Sequence, residues 1–213
     1  MPSPAIKICG IKTAETLAAV IAGRADYVGF NFFARSPRSV SLEQVKPLAA
    51  QAAGRVSRVG LFVNESDAAI TAAIGAAQLD VLQLHGSESP ARVAQLRAGL
   101  AIPVWKVISV GSRADLARAG HYVGAADIIL LDAKTPKGAL PGGMGLSFDW
   151  AWLNGWHAPL PWGLAGGLTA ANVGAAVALT SAPLIDTSSG VETAPGVKDA
   201  ALIAAFCAAA RAA

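Results

Sequence analysis

Short β-branched or apolar runs alternate with alanine-rich stretches of helical spacing from one end of this chain to the other, and no other feature restricts its fold so tightly. The strand runs fall at residues 6–9, 27–32, 58–63, 81–84, 104–108, 128–132, 162–165 and 184–187. Helical stretches follow at 13–22, 42–52, 66–77, 90–98, 113–119, 170–178 and 198–210, many opened by Ser, Thr or Asp in an N-cap role. A sixth helical position, near 148–153, is weak. Strands that alternate with helices give parallel sheets covered on both faces, and their runs read as continuously apolar.

Eight such units in 213 residues leave roughly 27 residues per unit, at the small end for a closed (β/α)8 barrel. An open doubly wound sheet is the competing arrangement. Its edge strands would normally be charged, bulged or broken by proline, whereas the first and last strands here are short, apolar and clean. The expectation is therefore an α/β chain forming one (β/α)8 TIM barrel with a parallel eight-stranded core, a single domain over residues 1–213. A composition of 54% hydrophobic and only 15% charged residues agrees with extensive two-sided burial.

Composition also narrows the partners. The net charge of +3 and pI near 9.1 are basic, but Lys and Arg are scattered without a cluster, which gives no footprint for nucleic acid and leaves room for a small anionic substrate. Cys9 and Cys207 sit near opposite ends with neither metal-ligand spacing nor a disulfide framework, as suits a reducing compartment. No signal-peptide pattern precedes the first strand, and no apolar run is long enough for a membrane span. A cytoplasmic location with no membrane association is expected. An alanine-rich exterior allows a monomer without deciding between monomer and homodimer.

In a barrel of this kind the loops after the strands converge on one face, so residues at strand C-termini belong together in space. They are Cys9, Asn31, Asn64, His85, Asp132, Ala165-Gly166-Gly167 and Asp186-Thr187-Ser188-Ser189-Gly190. Gly166-Gly167 and Ser188-Ser189-Gly190 follow strands seven and eight, the two loops that often cradle a phosphate with backbone N–H groups and a short helix N-terminus; each alone could equally be a plain turn. Lys7 and Cys9 share a face of strand one, so the ammonium is expected to draw the thiol toward thiolate. A free cysteine is also a common packing residue, and the strand by itself leaves both readings open.

Asp132 closes a strongly apolar strand, where burial would favour an acid, although loop aspartates also serve as caps. His85 could donate to a substrate oxygen or order its loop. Arg38, in the loop after strand two, could grip a carboxylate with its bidentate fork or lie solvated on the surface. The stretch 133–147, rich in glycine and proline, is long enough to fold over the site. Cys207, on the last helix, reads as packing, and Trp150, Trp152, Trp156 and Trp162 as cover for the barrel around its weak sixth helix.

The motifs Lys7-Ile8-Cys9-Gly10, Ser36-Pro37-Arg38, Val59-Gly60-Leu61-Phe62-Val63-Asn64 and Leu82-Gln83-Leu84-His85-Gly86 occur in order. They continue through Leu131-Asp132, Gly142-Gly143, Leu164-Ala165-Gly166-Gly167-Leu168 and Ser188-Ser189-Gly190-Val191-Glu192. In that order the chain resembles the phosphoribosylanthranilate isomerase family over its full length. The resemblance implies a cofactor-free Amadori rearrangement of a phosphorylated aminoaldose in tryptophan biosynthesis. It implies Asp132 as general acid, Cys9 as general base, Arg38 on the anthranilate carboxylate, and Gly143, Gly166, Gly167, Ser189 and Gly190 around the phosphate; His85, from its place after strand four, is counted with the substrate-binding residues. Three positions depart from the family pattern: Met144 where a hydroxyl residue is more usual, Thr187 where a small or aliphatic one is, and the amide of Asn31.

Related phosphate-binding barrels are the alternative enzymes. Indole-glycerol-phosphate synthase would carry a catalytic lysine and glutamate on barrel strands, and a histidine-pathway aminoaldose isomerase an aspartate after strand one, where this chain has Cys9. A non-catalytic binder of a phosphorylated ligand is the alternative from another class.

Overall fold

A computed structural model describes residues 3–136 and 142–213. Eight parallel strands close on themselves: β1 (Ala5–Cys9), β2 (Tyr27–Asn31), β3 (Ser57–Phe62), β4 (Val81–Leu84), β5 (Val104–Val110), β6 (Ile128–Ala133), β7 (Trp162–Leu164) and β8 (Leu184–Thr187). The eighth strand pairs with the first, Lys7 opposite Asp186, which leaves the barrel sheet without an edge and settles closure over the open sheet. The helices are α1 (Ala14–Ala22), α2 (Leu42–Ala52), α3 (Asp67–Ala77), α4 (Pro90–Gly99), α5 (Val173–Thr180) and α6 (Ala200–Arg211).

Local chemistry sets their starts. The Thr13, Ser66, Ser89 and Asp199 side chains each accept an N–H of the first turn, and Ser41 forms a reciprocal capping box with Gln44. Strand faces alternate with period two. Outward residues such as Ile6, Ile8, Val28, Phe30 and Leu82 pack under the helices in the larger core, together with Cys207 on α6. Inward residues Val59, Val81, Trp105, Val107, Leu130 and Leu184 fill the lower barrel. No described helix is long and apolar enough to cross a membrane.

The structure departs from the pattern-based boundaries where side chains intervene. After β5 the connection is a run of 3-10 turns, Arg113–Tyr122, opened by a Ser112–Asp115 capping box; after β6 the helical position among the described residues is a 3-10 turn, Trp150–Leu153. The nearby tryptophans pack on the outer core, with Trp156 edge-on to Trp162 at 5.4 Å. Helix α5 starts later than expected because Asn172 accepts the Thr169 N–H and donates to the Gly167 carbonyl, which holds the preceding residues in a turn. Ahead of α6 lies an unanticipated hairpin, β9 (Glu192–Ala194) and β10 (Val197–Lys198), so Lys198 is a strand residue. Within the stretch 133–147, residues 137–141, among them Gly138 and Pro141, lie outside the described residues.

Candidate active site

The C-terminal mouth of the barrel holds a cavity of about 690 Å³ lined by the nine residues given site roles from the sequence, Cys9, Arg38, His85, Asp132, Gly143, Gly166, Gly167, Ser189 and Gly190; of the other strand-end residues collected there, Asn64 is not part of the lining. Its floor begins with β1. Lys7 is fully buried and donates to both carboxylate oxygens of Asp186, at 3.0 and 2.9 Å. Cys9, one step up on the same face, stands opposite Gly29, where a Cβ would lie 2.8 Å from Sγ and 3.2 Å from Lys7 Nζ. A bare glycine there makes room for thiol and ammonium together.

The expected effect of Lys7 on the thiol needs correction. Burial pushes the Cys9 thiol up; Lys7 and Lys198 pull it down, Asp186 pushes up again, and the net position is above that of an ordinary thiol. Because the ammonium's partner is Asp186, Lys7 is no dedicated activator of Cys9. For Lys7 itself, burial disfavours the charge, but Asp186 and Cys9 together outweigh it and push the ammonium above the ordinary lysine range.

Across the cavity, the buried Asp132 accepts the Ala133 N–H at 2.8 Å through Oδ1, and its Oδ2 lies 3.2 Å from His85 Nε2. Among the described residues His85 Nδ1 has no partner, so this imidazole's polar contact is with Asp132. Gly142 and Gly166, both at positive φ (+70° and +88°), press on the pair: a Cβ would come within 3.0 and 2.9 Å of the two Asp132 oxygens. The loop carrying His85 is held from outside the barrel. Glu88 accepts the N–H groups of Asn64 (2.7 Å) and Gly86 (3.0 Å) and the ammonium of the buried Lys106 (3.0 Å).

Arg38 is buried, which rules out the solvated reading. Its fork already holds a protein carboxylate: Nε and Nη2 donate to Glu192 at 2.8 and 2.7 Å, and Nη2 also donates to the Gly143 carbonyl at 2.9 Å. Lys198 braces Glu192 from the other side at 2.6 Å and donates to the Ser188 carbonyl at 2.8 Å. Sequence reasoning assigned no role to Glu192 or Lys198. The signal available was their spacing around Pro195-Gly196, which turns the hairpin that brings them together.

The turns after β7 and β8 are locked to each other. Thr187, a departure from the family pattern, donates from Oγ1 to the Leu168 carbonyl at 2.7 Å. A Cβ on Gly190 would overlap that same carbonyl, so only glycine permits the approach. Gly167, at φ +63°, faces Gly145 and Leu146, and Ser189 lies beside Gly145. Gly143 therefore lies against Arg38, while Gly145 is the loop glycine at the paired turns. Asn31 orders the loop after β2, accepting the Phe33 N–H at 2.8 Å and donating to Ser36 at 3.2 Å. Met144 is half exposed.

Residues 6–209 match the profile of the N-(5'phosphoribosyl)anthranilate (PRA) isomerase family. The chain belongs to this isomerase family. Curated N-(5'-phosphoribosyl)anthranilate isomerases of Paracoccus denitrificans and Cereibacter sphaeroides are 52% and 51% identical over 204 and 207 residues, covering 95% and 97% of this chain and 95% and 98% of theirs. The crystal structure of the Thermotoga maritima phosphoribosyl anthranilate isomerase superposes with a TM-score of 0.88 at 34% identity, over 99% of this chain and 100% of that one. Another, a phosphoribosyl anthranilate isomerase in complex with reduced 1-(o-carboxyphenylamino)-1-deoxyribulose 5-phosphate, gives 0.86 at 32% identity over the same shares. Membership makes this chain an enzyme, an aldose–ketose isomerase on a TIM barrel.

Proposed function

We propose that this isomerase, as one domain spanning residues 1–213, converts N-(5'-phosphoribosyl)anthranilate into 1-(2-carboxyphenylamino)-1-deoxyribulose 5-phosphate in L-tryptophan biosynthesis, without a cofactor. Asp132 is the general acid and Cys9 the general base. The observation that carries this reading is the convergence of both on one cavity, from β6 and β1, with Arg38 at one edge and the paired β7 and β8 turns at another.

Asp132 gives its proton to the furanose ring oxygen as the C1–O bond breaks, and the nitrogen lone pair forms C1=N⁺. Cys9 thiolate then removes the proton on C2, and the electron pair moves into the iminium to leave an enolamine. Loss of the enol O–H proton with protonation at C1 yields the ketone. A cationic nitrogen acidifies the C2–H, so one base suffices. Burial and Asp186 push the thiol up, so the base is formed against that push, with Lys7 and Lys198 drawing it toward thiolate.

The substrate is anchored at both ends. Backbone N–H groups of Gly166, Gly167, Ser189 and Gly190 bind the phosphate, Gly143 carries the loop above it, and Arg38 receives the anthranilate carboxylate. His85, beside Asp132, contacts the substrate at the ring being opened. Two buried free cysteines suit a reducing compartment, and we place the enzyme in the cytoplasm. The test is a fluorescence assay of phosphoribosylanthranilate consumption by wild type, Cys9→Ser and Asp132→Asn. Each change is expected to lower turnover by at least about 10²-fold, the lower edge of a general acid–base contribution; comparable activity in all three overturns the assignment.

A further inference from the structure

Arg38 has five guanidinium protons, and the protein itself accepts three of them. One on Nε and one on Nη2 go to Glu192, at 2.8 and 2.7 Å, and the second on Nη2 goes to the Gly143 carbonyl, at 2.9 Å. Nη1, beside Gly143 at the cavity wall, has no acceptor among the described residues. The bidentate edge that a substrate carboxylate was expected to use is thus spent internally.

The charges raise a second question. Arg38 and Glu192 alone form a neutral pair, and a neutral pair offers a further carboxylate little net attraction. Lys198 changes that balance. Its ammonium donates to Glu192 at 2.6 Å and to the Ser188 carbonyl and hydroxyl at 2.8 and 3.1 Å, so all three of its protons are engaged inside the protein. Burial pushes the Lys198 ammonium down and Glu192 pulls it back up; with it protonated on its three acceptors the charges sum to +1, the complement of one carboxylate. Side chains of Lys198, Glu192 and Arg38 are 2%, 4% and 9% exposed, so solvent screens them weakly. Burial pushes the Glu192 carboxyl up, but the hydrogen bonds from Arg38 and the charge of Lys198 overcome it and hold it below the ordinary glutamate range.

We propose that Glu192 and Lys198 are positioning residues that make Arg38 a receptor for a single carboxylate. Glu192 fixes the guanidinium and occupies its fork, Lys198 restores the positive charge that Glu192 cancels, and the two-proton Nη1 corner is what the substrate's arylcarboxylate meets. This rests on the reading that Arg38 receives that carboxylate. The same network continues through Ser188, whose hydroxyl donates to the Cys9 carbonyl at 3.1 Å, so the carboxylate end is tied to the strand end that bears the thiol.

The test compares two competitive inhibitors of the intact enzyme: reduced 1-(o-carboxyphenylamino)-1-deoxyribulose 5-phosphate and its counterpart lacking the carboxyl group. The readout is the ratio of their inhibition constants, which a general loosening of the site leaves unchanged. Lys198→Met is expected to reduce the preference for the carboxylated compound at least about 10-fold, the scale of losing one charge from a buried cluster. Combining it with Glu192→Gln returns the cluster to +1 and is expected to recover part of that preference. Should Lys198→Met fail to fold, Lys198→Gln removes the same charge, keeps a donor toward Ser188 and is read the same way.

Equal loss of affinity for both compounds, or a double variant worse than the single one, overturns the charge-balance role while leaving Arg38 as receptor. Arg38→Met distinguishes the deeper failure. If it retains the preference, Arg38 does not receive the carboxylate and both readings fall.

Discussion

The two ends of the barrel interior are built by the same strands and meet opposite requirements. On β6, Leu130 and Asp132 share the inward face two residues apart; on β8, Leu184 and Asp186 do the same. Below, Val59, Val81, Trp105, Val107, Leu130 and Leu184 close the barrel by volume alone. Gly163 leaves the space they need, since a Cβ there would lie 2.7 Å from Leu130 and 2.9 Å from Leu184. Above, the same inward positions carry Lys7, Cys9, His85, Asp132 and Asp186. Burial hardly separates the ends, with Leu130 at 0% and Asp132 at 7% exposure. What separates them is whether a side chain is satisfied by contact or by a charged partner, and that governs what each loses on substitution.

The largest effect should come where the upper end is itself a stability element. Lys7→Met strands the Asp186 carboxylate with its cation gone, and breaking a buried pair in this way costs about 3–5 kcal/mol. Denaturant unfolding should show that loss. Adding Asp186→Leu should recover most of the stability, because a well-packed apolar pair often equals a buried ion pair, without recovering activity. A Lys7→Met enzyme as stable as wild type would mean that the pair contributes nothing to folding and that the two ends divide cleanly into stability and function.

A slightly smaller effect sharpens the division on one strand. Leu130→Ala removes a fully buried side chain from the lower layer and should cost about 2–5 kcal/mol, while turnover per folded molecule stays within about 3-fold of wild type, far from the 10² or more of an acid–base group. Asp132→Asn should do the reverse, with stability nearly kept and turnover lost. Matching losses of turnover in both variants would show that the lower layer positions the acid and that the ends are coupled.

The same contrast explains what could be read before any coordinates. Strand positions and closure follow from apolar periodicity, a property of each segment taken alone, and all eight strands fall within two residues of their expected bounds. The strand ends gave the candidate list for the same reason, because a (β/α)8 chain collects those ends at one mouth. Partnerships did not follow. Lys7 is two residues from Cys9 in sequence, yet it pairs with Asp186, 179 residues away, through the closure of β1 on β8. Arg38 reads equally as a carboxylate receptor or a surface residue until the β9–β10 hairpin delivers Glu192 and Lys198, and that hairpin is too short to leave a periodic signal. Side-chain hydrogen bonds likewise moved the start of α5, where Asn172 competes with the helix for backbone groups.

The smallest expected effect tests the electrostatics of the upper end directly. Cys9 sits among Lys7 on β1, Asp186 on β8 and Lys198 on β10, and the upward pushes of burial and Asp186 exceed the downward pulls of the two lysines. Only thiolate is alkylated at an appreciable rate. In a Cys207→Ala background, where Cys9 is the sole thiol, the iodoacetamide rate should therefore climb with pH through neutrality, with its midpoint above the roughly 8.5 of a free thiol. Asp186→Asn removes one upward push and leaves Lys7 free to face the thiol, so its midpoint should fall below that of the parent. A parent midpoint under 8.5 would place the lysines in control and restore Lys7 as activator. A midpoint that rises in Asp186→Asn would mean that Asp186 acts on the thiol chiefly by holding Lys7 in place, not by its own charge.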